Sequence, residues 1–279
     1  MSMKVHYLGT GAAEGIPALF CRCEFCTAAR KEGLRRSRAQ VVVDGKISID
    51  FPPDAFLHAC ESGEDFSALK YVLVTHSHMD HFYAHDFILR GYKYARGMTE
   101  EDLHIFGNEE VGQVFAECTR RELKEEIASH LHFHRVRAFE PFFFGDYRAV
   151  ALPARHTSAE PFVFLLGKGE TRYLHLCDTG LLPEETYTYL ARTVKKPVNL
   201  ITFDCTFLWE RSSTYRRHMG LDDNREVLMR LQADGVADAH TRRVMTHFSH
   251  HACPDPESLA RAEGVYGGTA AYDGYTLYL

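Results

Sequence analysis

Apolar residues recur along the chain in short runs bounded by turn residues, alternating with longer segments in which they return at helical spacing. The runs predict strands at 3–8, 39–43, 46–49, 71–75, 103–106, 147–152, 161–166, 171–177, 198–204, 242–247 and 275–279. Asp44-Gly45, between the second and third of these, is a hairpin turn signal. Helices are predicted at 84–96, 109–128, 183–193, 223–233 and 255–263. In the fourth, Asp223 and Glu226 stand at capping-box spacing ahead of Val227, Leu228 and Leu231. Strands in two series, each followed by helices, predict an α/β chain with two sheets face to face and helices outside. No linker or low-complexity tract divides it, so one domain is expected over 1–279.

Composition narrows the setting. With 279 residues and 45% hydrophobic content the chain can bury a sizeable core. The N-terminus lacks the basic patch and apolar core of a secretion signal, and no run is long enough to span a membrane, so a cytoplasmic protein is expected. In that compartment the eight cysteines are not expected to form a disulfide framework, and any that cluster become metal-site candidates. A net charge of -6 argues against broad nucleic-acid binding but leaves room for a local phosphate pocket.

The densest chemistry lies at Thr75-His76-Ser77-His78-Met79-Asp80-His81, directly behind the apolar Tyr71-Val72-Leu73-Val74. Extended chain places His76 and His78 on one side, and the turn that follows can bring Asp80 and His81 to a second position. Imidazole and carboxylate together suit zinc, iron or manganese. Two metals need more ligands than this run supplies. Further candidates stand at the ends of apolar strands: His156 after 150–153, Asp178 after 173–177 and His247 after 244–246.

This set resembles the metallo-β-lactamase superfamily over essentially the whole chain. The resemblance implies an αββα sandwich with a dinuclear site at one edge, binding two divalent ions, manganese or zinc. It places His76, His78 and His156 on one ion and Asp80, His81 and His247 on the other, with Asp178 bridging. A second signal follows Leu8-Gly9-Thr10-Gly11, where Cys21-x-Cys23-x-x-Cys26 puts three thiols in a loop at about 18–30. Thr246-His247-Phe248-Ser249-His250 supplies a fourth ligand in His250, with His251 and Cys253 as alternatives. This pairing resembles the PhnP family, the carbon-phosphorus lyase accessory phosphodiesterases of phosphonate metabolism. It implies a structural zinc on Cys21, Cys23, Cys26 and His250, a homodimer, and a 5-phosphoribosyl 1,2-cyclic phosphate type of substrate. In that family a His in the segment of His218 is the candidate general acid.

Other residues carry lesser expectations. Arg216, beside His218, can add positive potential for an anionic substrate. Asp50 and Asp204, each after an apolar strand, are expected to accept hydrogen bonds from ligand imidazoles. His6, His58, His104, His175 and His240 are read as core or surface residues, and His130 to His134 as a half-exposed strand. His85 is read as a pocket residue beside the site. Cys60, Cys118, Cys177 and Cys205 are read as buried thiols, and Gly9 and Gly11 as a tight turn under the metal site.

Metal-dependent hydrolysis of a small phosphodiester is therefore the expected function. A tRNA 3′-end nuclease would need a basic arm that is not visible here. A cofactor-biosynthesis branch resembling pyrroloquinoline quinone protein B departs from the full His-x-His-x-Asp-His pattern, which this chain keeps. Thioester or lactone hydrolysis and a non-catalytic zinc-stabilised binding protein are the remaining alternatives. No membrane partner is expected.

Overall fold

The computed structural model of the chain describes residues 2–210 and 217–279. Its first sheet holds β1 (Lys4–Gly9), β2 (Gln40–Val43), β3 (Ile47–Ile49), β4 (Tyr71–Leu73), β5 (Leu103–Gly107) and β6 (Leu131–Arg135). The second holds β7 (Pro141–Phe144), β8 (Tyr147–Pro153), β9 (Phe162–Lys168), β10 (Thr171–Leu176), β11 (Leu200–Asp204), β12 (Arg242–Thr246) and β13 (Thr269–Ala270). The last strand, β14 (Tyr275–Tyr278), returns to the first sheet beside β1, giving the orders β14-β1-β2-β3-β4-β5-β6 and β13-β12-β11-β10-β9-β8-β7. The helices are α1 (Glu24–Glu32), α2 (Ala55–Glu61), α3 (Glu109–Thr119), α4 (Glu125–Ala128), α5 (Glu184–Thr193), α6 (Leu221–Ala233) and α7 (Pro256–Tyr266).

Strict alternation explains why the strands read as continuous apolar runs. Val41, Val43, Tyr71 and Leu73 of the first sheet enter the same inter-sheet core as Ala149, Ala151, Phe164 and Tyr173 of the second. Their neighbours Val42, Val72 and Val74 face outward beneath Phe82, Phe87 and Val111. On the second sheet Val150, Leu152, Leu174 and Leu176 face outward beneath Tyr187, Leu190, Val227 and Leu231. Each central strand is thus buried on both faces, and the chain forms the αββα sandwich.

Several predicted elements differ. The helix expected at 84–96 is a 3-10 turn over Ala84–Leu89, because Gly91 (φ 112°) and Tyr92 (φ 52°) take backbone that no helix continues through. The helix expected at 109–128 splits into α3 and α4, the intervening turn closing as Glu122 and Leu123 N–H donate to Thr119 O. No capping box joins Asp223 to Glu226. Helix α6 starts earlier, and the Gly220 N–H donates to Asp223 Oδ2 at 3.1 Å. Helices α1 and α2 and strands β7 and β13 lie outside the predicted set. Gly9 and Gly11 do not form a left-handed turn. A Cβ on either would stand 1.9 Å and 2.9 Å from the carbonyl oxygens of Arg38 and Arg36, so the requirement is close backbone approach. Cys177 and Cys205 are buried, whereas Cys60 is exposed and Cys118 only partly covered. Among the described residues no helix is long and apolar enough to cross a membrane.

One polar chain crosses the inter-sheet core. The Tyr173 hydroxyl lies 2.9 Å from Thr202 Oγ1 and 2.7 Å from His175 Nδ1, and Tyr7 joins Thr202 from the other sheet. Burial pushes the His175 pKa down to about 4, so the folded protein keeps the ring neutral. The unfolded chain takes up a proton near pH 6.5 that the fold refuses until about pH 4. Stability of the metal-free chain should therefore fall as pH drops from 6.5 towards 4, by about 3 kcal/mol from this residue. Urea unfolding of parent and His175→Gln across that range checks it: an unchanged slope in the variant removes His175 as the source.

Candidate active site

Strand direction gathers the polar strand ends at one edge. β3 and β4 run parallel, as do β10, β11 and β12, and β8 runs with β10 because each is antiparallel to β9. Asp204 ends β11, and Asp50, His76, His156, Asp178 and His247 follow the C-terminal ends of the others. Three of them, Asp50 (φ 63°), Asp178 (φ 52°) and His247 (φ 64°), occupy left-handed backbone, which bends each side chain out of its strand into the edge.

The imidazoles form two clusters joined by one carboxylate. In the first, His78 Nδ1 lies 3.0 Å from His76 Nε2 and 3.2 Å from His156 Nε2. Asp178 Oδ2 lies 3.3 Å from His76 Nε2 and 3.2 Å from His156 Nε2. In the second, His81 Nε2 is 3.2 Å from Asp80 Oδ2 and 3.1 Å from Asp178 Oδ2, with His247 Nε2 at 3.9 Å from the same oxygen. Four ligands about 2.0 Å from a central ion in tetrahedral array stand about 3.3 Å apart; the first cluster matches that spacing at 3.0–3.3 Å and the second spans 3.1–3.9 Å.

Two further observations test the fit of cations. Nε2 of His81 and of His247 are buried without a hydrogen-bond partner. Burial works against a charge on His81, yet Asp80 and Asp50 outweigh it and hold the ring's pKa well above its usual value. The pocket therefore favours a positive charge at the point where these lone pairs converge. Burial alone would raise the Asp178 carboxyl, but His247, His218, His76 and His81 hold it well below the carboxylate range. His156 is pushed by burial to about 4 and is neutral, as a ligand must be.

Each ring is oriented through its other nitrogen. His76 Nδ1–H points to Thr75 Oγ1 at 3.0 Å, and His81 Nδ1–H to Asp50 Oδ2 at 2.6 Å. Asp50 also accepts from Thr75 N at 2.8 Å. His78 Nε2 faces Thr157 Oγ1 at 3.4 Å, and His156 Nδ1 faces the Arg217 carbonyl at 3.3 Å. His247 Nδ1 is held by Thr206 Oγ1 at 2.8 Å, closer than Asp204 Oδ2 at 3.5 Å, while Thr206 Oγ1 itself donates to Asp204 at 3.2 Å. Asp204 thus reaches His247 mainly through Thr206, a partner that nothing in the sequence singled out. Such outer contacts fix tautomer and ring direction.

His218 enters beside Asp178, its Nδ1 2.8 Å from Oδ1 and 3.4 Å from Asp204 Oδ2. Burial opposes its charge, but these two carboxylates prevail and raise its pKa to about 10. Arg216 lies outside the described residues. His85 is exposed against the Tyr83 ring and belongs to neither cluster among the described residues.

A second metal-type group lies where α1 meets the loop after β12. His250 Nδ1 is 3.7 Å from Cys23 Sγ and 3.4 Å from Cys26 Sγ, against about 3.6 Å for nitrogen and sulfur sharing one tetrahedral zinc. Cys21 completes the group, and neither His251 nor Cys253 belongs to it among the described residues. The N–H groups of Ala18, Cys23 and Cys26 each point at a cysteine sulfur at 3.4 Å. The Cys26 N–H is the leading cause of a Cys23 thiol pKa lowered to about 6, with His250 and Cys21 adding to it. Phe248, between His247 and His250, pairs with the first loop: its N–H donates to Thr10 O, and Ala12 N–H donates to its carbonyl.

Two histidine clusters sharing one carboxylate at the edge of an αββα sandwich define a metal-dependent hydrolase. Residues 41–248 match the family model of the beta-lactamase superfamily domain, and the chain belongs to that superfamily. Its fold is similar to a diphosphatase from the PhnP family (TM-score 0.75, 22% identity, covering 100% of this chain and 98% of that one). It is also similar to zinc-bound PqqB from Methylobacterium extorquens (TM-score 0.73, 17% identity, 98% and 99% covered). Human tRNase Z, short form, is a third such fold (TM-score 0.66, 16% identity, 98% of each covered). An octanoyltransferase of Porphyromonas gingivalis (strain ATCC BAA-308 / W83) is 34% identical over 82 residues, which are 28% of this chain and only 16% of that protein.

Removing one thiol separates the two metal-type groups. Cys23→Ser should lower the thermal midpoint by several degrees and lose one zinc per chain by elemental analysis, while the histidine clusters keep their metal affinity. Loss of turnover with stability and metal count intact would contradict this division.

Proposed function

We propose that the chain is a dinuclear phosphodiesterase that hydrolyses a small phosphodiester, a cyclic ribose phosphate being the favoured substrate. One observation carries the reading: a single buried oxygen, Asp178 Oδ2, lies within 3.1–3.9 Å of four imidazole nitrogens from both clusters. A ligand atom so shared suits a pair of adjacent ions, one held by His76, His78 and His156 and the other by Asp80, His81 and His247. Zinc or manganese fits this mixed donor set. Such a pair, when bound, supplies Lewis acidity that brings water ionisation near neutral pH and offsets charge on phosphoryl oxygens.

The chain's own groups do the rest. Asp50, Thr75, Thr157 and Thr206 keep the ligand lone pairs turned inward, so little reorganisation accompanies reaction. As the water oxygen bonds to phosphorus and the ester bond breaks, the departing alkoxide needs a proton. His218 is poised to give it: the two carboxylates at Nδ1 favour its cationic form and leave Nε2 as the donor. The product is a phosphomonoester with one free hydroxyl. The names of two structural neighbours, diphosphatase and tRNase, belong to enzymes that cleave phosphorus–oxygen bonds, which supports the reaction class. The cysteine group is proposed as a structural zinc site. A homodimer in the cytoplasm, serving phosphonate metabolism, completes the reading.

Turnover of a cyclic ribose phosphate, a generic phosphodiester, a thioester, a lactone and a pre-tRNA by the metal-loaded protein tests it, and absence of all phosphodiester cleavage would sink it. His218→Ala should cost about 10²–10⁴ in kcat with an alkyl leaving group. A p-nitrophenyl ester, whose leaving group needs no proton, should lose less than about tenfold. Equal losses with both would remove the general-acid role.

A further inference from the structure

The first cluster joins loops from different sheets. His76 and His78 follow β4, whereas His156 stands in the loop between β8 and β9, and the two must meet to within a few tenths of an ångström. The start of α3 stands between them. Glu110 Oε2 accepts from Ser77 Oγ at 2.7 Å and from the Ala159 N–H at 3.3 Å, one contact in each loop. Asn108 caps α3 by accepting from Val111 N at 2.8 Å, and its Nδ2 donates to Glu160 O at 2.6 Å. Asn108 is fully buried. Helix α3 is itself seated on the first sheet, since a Cβ at Gly112 would stand 2.7 Å from the Phe133 ring on β6. Its first turn therefore carries the position of the first sheet across to the loop of the second.

We infer that Glu110 is a positioning residue for the first cluster, clamping the His76–His78 turn to the His156 loop; this rests on reading that cluster as a metal site. The role needs one oxygen with two lone pairs, not a negative charge. A glutamine carbonyl can accept both bonds, whereas alanine accepts neither. Ser77→Ala removes one of the two contacts and leaves the other.

The test uses the zinc-loaded full-length protein. Zinc release to a chelator, followed with a colorimetric indicator, is compared with thermal unfolding and with kcat and KM for a generic phosphodiester. Glu110→Ala should release one zinc per chain at least about tenfold faster than parent, with lower kcat and a thermal midpoint within a few degrees. Glu110→Gln should stay within about threefold of parent, and Ser77→Ala should fall between the two. Parent-like release from Glu110→Ala overturns the inference. So does release from Glu110→Gln as fast as from Glu110→Ala, or loss of every zinc together with a collapsed midpoint. Should the parent turn over no phosphodiester, the proposed reaction fails while the release rates still decide the clamp.

Discussion

The Asp178 carboxylate is the group on which the rest of the architecture depends. It is 3% exposed, in left-handed backbone, and ionised. A buried charge without partners costs several kcal/mol, so this one persists only because imidazoles from both halves of the chain converge on it. His76 and His81 come from the first sheet, and His156, His218 and His247 from the second. Sliding one sheet over the other would part these groups, and slipping β2 by one residue within its own ladder would turn the alternating Val41, Val42 and Val43 to the wrong cores. The apolar packing and the polar edge thus demand the same register.

The outer contacts extend that logic. Each imidazole spends one nitrogen on a partner anchored in its own neighbourhood, so the other points inward without freedom to rotate. The cysteine group acts at longer range. It ties the loop after β1 to the segment 246–250, and His247 occupies the near end of that segment while His250 occupies the far end. Arg30 reinforces it by donating to Cys21 O and Ala18 O at 2.7 Å and 2.6 Å.

How much of this could be read in the sequence follows from how local each signal is. His76 to His81 are legible because four ligand-type residues fall within six positions behind one apolar strand, and His156, Asp178 and His247 because each follows another. Thr206 and Glu110 carried no such mark. Threonine and glutamate are common, and their meaning lies in partners 41 and 33 residues away. The helix expected at 84–96 has a local cause: Ala84, Phe87 and Ile88 imitate helical spacing, while Gly91 and Tyr92 take positive-φ backbone that ends it. Strand β7 was missed because Pro141-Phe142-Phe143-Phe144 is short and begins with proline, as an edge strand can.

Left-handed backbone at Asp50, Asp178 and His247 is the part of the design that sequence hides most completely. Each such residue costs about 1–3 kcal/mol outside glycine, and the bonds on its own side chain offset that cost: Thr75 and His81 at Asp50, Thr206 at His247. Glycine would relieve the strain but leave no side chain to place, so an acid or histidine in this conformation is the compromise a rigid edge requires. A rigid edge fixes the chemistry and says little about the molecule it acts on. Choice of substrate must then fall to the exposed rim, where Arg155, Thr157 and Arg217 stand beside the clusters on segments that strand pairing does not constrain. The same ligand set can serve different substrates as that rim changes, without disturbing Asp178.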